Sequence, residues 1–119
     1  MRVRFRVGIY DGEGRRLAKD HFLSYSTSLH RGMRYVLEFK YLEATKWLML
    51  AQDCMEKYLL LGLLNIALGQ EREGIDFLQE AQKQEKTTCY IFAVEKPETG
   101  SKLFIERIEA SLLDSLLSL

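Results

Sequence analysis

Little punctuates this chain. A single proline, Pro97, stands among 119 residues, and it marks Lys96 to Gly100 as a loop. Only two cysteines occur, Cys54 and Cys89, too few for a disulfide framework. Neither has a CxxC neighbour or an adjacent base, so each is expected as a small core residue. Net charge is lacking too: 17 basic side chains balance 17 acidic ones, and no overall field draws the chain to nucleic acid or membrane. The longest apolar run, Leu59 to Leu64, is broken by Gly62 and falls far short of the ~20 residues that span a bilayer. The opening Met1-Arg2-Val3-Arg4-Phe5-Arg6 has no signal-peptide core. These absences predict a soluble, cytoplasmic protein with no membrane partner.

Apolar residues make up 47% of the chain and charged residues 29%, a globular composition, and the length fits one domain over residues 1–119. The charges are graded along it. Residues 1–25 carry six Lys or Arg against three acids, and residues 61–119 carry six against ten. A basic end and an acidic end permit charge pairing between or within chains.

Val3, Phe5, Val7 and Ile9 alternate with Arg2, Arg4, Arg6 and Gly8, the period of a strand with one buried face. Asp11-Gly12-Glu13-Gly14 predicts a turn, and Arg16 to Tyr25 a returning strand, giving a β-hairpin over 1–25. From Leu29 the apolar spacing becomes helical through Ala51, with a junction between two helices near Phe39-Lys40. Asp53 and Glu56 have capping-box spacing, which starts a third helix at Cys54. That helix ends at Gly69, and Glu71 to Lys83 forms a fourth. Thr88 to Val94 is aromatic and β-branched, so a buried strand over 88–95 is expected to pair with the hairpin. Phe104, Ile105, Ile108, Leu112 and Leu116 predict a last helix over 101–118, although Lys102 to Arg107 can instead begin as a strand.

The helical part matches itself. A shift of 30 residues lays Gly32 on Gly62, Glu43 on Glu73, Leu48 on Leu78, Ala51 on Ala81 and Gln52 on Gln82, five identities in 21 positions. Met33 falls on Leu63, Val36 on Ile66 and Trp47 on Phe77. Two copies of one helix-turn-helix unit follow, filling residues 29–85. The unit resembles the tetratricopeptide repeat (TPR). Leu61-Gly62, Gly69, Glu73-Gly74-Ile75, Leu78 and Ala81 carry the resemblance in the second copy, and Gly32, Tyr35, Lys40-Tyr41, Glu43-Ala44, Leu48 and Ala51 in the first. The departures are a period of 30 against the family's ~34, Phe39 at the inter-helix glycine, Gly74 for alanine, and Arg31 for a large apolar residue.

The resemblance implies a protein-interaction module whose inner helical surface receives a partner. On that surface the chain offers Leu29, Met33 and Val36, then Leu59, Leu63 and Ile66, and no basic clamp. Exposing so much apolar area is unusual for a soluble monomer. The groove is therefore expected to be filled by the chain's own strands, by a partner's helix or by self-association.

No motif carries chemistry. His21, His30, Cys54 and Cys89 lack zinc-like spacing, and Gly12-Glu13-Gly14 lacks the third glycine of a phosphate loop. Glu71, Glu73, Asp76 and Glu80 share one helix and match dipole and solvation roles. No catalytic residue, cofactor or metal is predicted. Arg2, Arg4 and Arg6 are expected on one strand face about 6.5–7 Å apart, either paired with acids of this chain or orienting an acidic partner. The expectation is thus an α+β domain acting as a non-catalytic interaction or scaffold module, binding a protein or itself. The alternative is a nucleic-acid-binding regulator that uses the arginine face.

Overall fold

The computed structural model describes residues 2–119. In chain order it holds β1 (Arg6–Tyr10), α1 (Ser28–Leu37), α2 (Tyr41–Leu50), α3 (Met55–Ala67), α4 (Glu71–Gln82), β2 (Ile91–Lys96), β3 (Ser101–Ile105) and α5 (Ala110–Leu117). The α+β class is as expected, with strands before and after two helical hairpins and a terminal helix. The Cα radius of gyration, 12.9 Å, is close to the about 13.5 Å of a single domain of this length.

The two hairpins keep the 30-residue correspondence down to individual hydrogen bonds. In the first turn Phe39 N–H donates to Val36 O and Lys40 N–H to Tyr35 O; in the second, Gly69 N–H donates to Ile66 O and Gln70 N–H to Asn65 O. Both hairpins reverse through a residue of positive φ, 58° at Phe39 and 90° at Gly69. Helix approach is matched as well. A Cβ on Gly32 would lie 2.7 Å from the Leu48 side chain, and one on Gly62 would lie 2.7 Å from Leu78. Glycine at these two positions is what lets the paired helices close.

The sheet is antiparallel in the order β1-β2-β3. β2 is central, which explains its unbroken apolar run: Phe92, Ala93 and Val94 are all buried. Register places Val7, Ile9, Phe92, Val94, Leu103 and Ile105 on one face. These residues enter one core with Met33, Leu59, Leu63 and Ile66. β1 lies across α1 and α3, the first helix of each hairpin, and the Arg4 amide bonds Ala67 O at 2.8 Å. Of the three expected covers for the inner helical surface, the chain's own strands provide it.

Three expectations change. The returning strand of the hairpin shrinks to one bridge between Tyr10 and Arg16, with the Leu17 amide reaching Ile9 O. Beyond it the outer edge of β1 is taken by a side chain, because Val7 N–H donates to the Tyr41 hydroxyl at 2.8 Å. Residues 18–25 leave the sheet and bury Phe22 among His21, Tyr25, His30 and Tyr90. The segment from Ser101 opens as β3, so the last helix is confined to Ala110–Leu117. Alternation of Lys102 and Phe104 with buried Ile105 and half-buried Leu103 decides it. Finally, Asp53 and Glu56 form no capping box. Cys54 is the N-cap of α3 without a side-chain bond, and the Glu56 carboxylate instead accepts from the amides and hydroxyls of Thr87 and Thr88.

Candidate binding surface

The four apolar residues expected to meet a partner are closed off. Met33, Leu59, Leu63 and Ile66 are each 0–1% exposed. Uncovering them would cost about 1.5–3 kcal/mol apiece, a sum that rivals the whole stability of a small domain. They are core.

The arginines do not form a ladder. β1 begins at Arg6, and residues 4 and 5 lie in a bend. Arg4 pairs with Glu71 at 3.2 Å, and Arg2 is exposed. Arg6 turns toward the helices, its guanidinium carbon 3.9 Å from the Phe39 ring centroid.

An unpartnered apolar stripe lies instead on the solvent side of α2. Leu42, Met49 and Leu50 are 61%, 56% and 71% exposed. They fall at positions i, i+7 and i+8 and share one helical face, with Lys46 between them. The second hairpin provides an internal comparison. Thirty residues on, the same positions hold Arg72, Gln79 and Glu80 with nearly the same pattern of exposure. The hairpin fold is therefore satisfied by polar residues there. Packing gives no reason for the leucines and methionine of α2.

The outer face of the sheet carries a second cluster. Gly8 and Ala93 leave a trough across β1 and β2, in which the Tyr10 hydroxyl donates to Glu95. A Cβ on Gly8 would come within 2.8 Å of that carboxylate. Arg16 bonds both Glu95 oxygens, at 2.6 Å to Oε1, and Lys102 Nζ lies 3.9 Å away. Burial alone would raise the Glu95 carboxyl, but hydrogen bonds from Arg16 and Tyr10 outweigh it and hold the group below its usual range. Between this cluster and the α1–α2 turn lies a recess of about 150 Å³, lined by Arg6, Arg16, Lys19, Phe39 and Tyr41 among others. Burial pushes the Tyr41 phenol up.

A larger cleft, about 620 Å³, opens between Thr27–His30, Leu50–Cys54 and Thr87–Thr88. His30 Nδ1 lies 2.6 Å from Thr27 Oγ1, and burial, aided by nearby His21, pushes its imidazole down. No three His, Cys, Asp or Glu side chains gather to hold a metal among the described residues. Cys54 is buried as expected, but Cys89 is exposed, because β2 starts two residues later and leaves it outside the sheet. No helix among the described residues is long and apolar enough to cross a membrane.

Neither the α2 face nor the recess was assigned from sequence. The α2 face had a signal, the departure of Leu42, Met49 and Leu50 from their counterparts in the second copy. The recess had none, since its residues come from three separate stretches of the chain, 6–7, 16–19 and 36–41. Comparison with known protein families, with curated proteins and with solved structures finds no match.

Proposed function

We propose that this chain is a non-catalytic protein-interaction module, built of two TPR-like hairpins and using the outer face of α2 to hold a partner. The observation that carries it is the contrast between Leu42, Met49 and Leu50 and the residues one repeat later, Arg72, Gln79 and Glu80. Apolar side chains are kept exposed at positions where the same fold accepts polar ones. The partner is an amphipathic segment of another protein with an acidic side chain among its apolar ones. Lys46, 71% exposed at the centre of the stripe and paired only with the exposed Glu43 at 3.3 Å, favours such an occupant over a second copy, which would set Lys46 against Lys46 across a two-fold axis.

The test exchanges the face for its counterpart, Leu42→Arg, Met49→Gln and Leu50→Glu together. A partner captured by the native chain, identified and purified, should bind the native chain in calorimetry and lose at least about 100-fold in affinity for the triple variant, as loss of an apolar anchor cluster does. Equal binding by both proteins defeats the proposal. A native dimer that becomes monomeric in the variant gives the face to self-association. The nucleic-acid reading has lost its strand-borne arginine face, since Arg2, Arg4 and Arg6 do not line up on one strand.

A further inference from the structure

The recess beside β1 stands on residues other than those of the proposed partner surface. Three cations border it: Arg6 from β1, and Arg16 and Lys19 from the segment that leaves the sheet. Among the described residues Arg6 and Lys19 have no carboxylate partner. Arg16 is paired, with the buried Glu95. Set against that single carboxylate, the three leave two positive charges unbalanced, before Lys102 at 3.9 Å from Glu95 is counted.

Two of the cations are held in place. Arg6 stacks on Phe39, which stands in the positive-φ turn between α1 and α2 and packs edge-on against Tyr41 at 5.0 Å. Arg16 is fixed through Nη1 by both oxygens of Glu95, which leaves its other nitrogens free to donate. At the wall lies Tyr41, 1% exposed. Its hydroxyl oxygen accepts from Val7 N–H, and the hydroxyl proton has no acceptor among the described residues. A buried phenol with an unspent donor, facing a space ringed by cations, asks for an anion. The space, about 150 Å³, equals roughly five waters of liquid volume.

We propose that this recess binds a phosphate dianion, the guanidinium groups of Arg6 and Arg16 and the ammonium of Lys19 meeting its outer oxygens and the Tyr41 hydroxyl donating to another. Two unbalanced charges fit a terminal phosphate better than a phosphodiester, which carries one. Planar, pre-positioned guanidinium forks suit such a group. The dianion can be free phosphate or a phosphorylated side chain, since the chemistry is shared.

The probes are inorganic phosphate and a short phosphoserine peptide, each titrated at constant ionic strength into the native chain and followed by NMR at the Val7 amide and the Tyr41 ring. Saturable shifts at both groups are expected. Arg6→Gln and Lys19→Gln change exposed side chains and leave the core intact; each should weaken binding at least tenfold, while Lys83→Gln at the C-terminal cap of α4 should leave it unchanged. Tighter binding of the peptide than of phosphate assigns the source to a modified side chain, and the reverse assigns it to free phosphate. Absence of saturable shifts at Val7 and Tyr41, or binding unaltered in Arg6→Gln and Lys19→Gln, overturns the inference. Either result leaves the α2 proposal where it stands.

Discussion

Arg6 lies over Phe39, guanidinium carbon 3.9 Å from the ring centroid, and so ties the first residue of β1 to the turn between α1 and α2. The contact explains an aromatic residue at φ 58°, where the second hairpin uses Gly69. A left-handed backbone costs a residue with a side chain about 1–2 kcal/mol. Packing on Arg6 and Tyr41 offsets that cost. Phe39→Ala keeps the strain and loses the packing; Phe39→Gly loses the packing but relieves the strain. Urea unfolding should therefore rank Phe39→Gly above Phe39→Ala by about 1 kcal/mol, against the usual helix-propensity order. Both should weaken phosphate binding at the recess.

Close approach is tighter in the second hairpin. A Cβ on Gly74 would lie 2.4 Å from Ile66 Cγ1 and 2.8 Å from Gly62 O, and the second of these is backbone that cannot rotate away. The first hairpin has Ala44 at the corresponding position. Gly74→Ala should destabilise by about 1–3 kcal/mol in denaturant titration, and more than Gly32→Ala, where only the Leu48 side chain must move.

Most of the helical core was legible because its signals are local. Gly32, Gly62 and Gly69 mark close approach and reversal, and the 30-residue match places the Phe39-Lys40 junction. What was hidden depends on distant partners. Asp53 and Glu56 have the spacing of a cap, yet Glu56 turns to Thr87 and Thr88, 31 and 32 residues on. Arg16 to Tyr25 was assigned to a strand, but Tyr41 from another element occupies the edge it would have filled. Burial of Leu59, Leu63 and Ile66 followed from their apolar period. Whether strands or a partner buried them depended on where β1 crosses the helices, which no spacing encodes.

Glu56 offers a test by pH. Burial alone would raise its carboxyl, but the Thr88 and Thr87 hydrogen bonds outweigh it and hold the group below its ordinary value of 4.5. A lowered folded value adds stability that is present above that ordinary value and is lost as pH falls through the folded one. Glu56→Gln should cost about 1–3 kcal/mol near neutral pH, and the gap to the native chain should narrow as unfolding is measured at progressively lower pH below 4.5. A constant gap would separate the loss from ionisation.

The exchanged face should not harm the fold. Leu42→Arg, Met49→Gln and Leu50→Glu place on α2 what α4 already carries, and all three sites are more than half exposed. The triple variant should unfold within about 1.5 kcal/mol of the native chain in urea, since surface changes stay near ±0.5 each. A larger loss would mean that these side chains serve the hairpin after all.

On the proposed reading the partner meets the outside of α2 and not the inner surface of the two hairpins. Chemical-shift mapping of the purified partner on the labelled native chain tests this directly. The account predicts perturbations concentrated at Leu42, Lys46, Met49 and Leu50, with Met33, Leu59, Leu63 and Ile66 undisturbed in the core. Perturbation of those four core residues, with α2 silent, would contradict it.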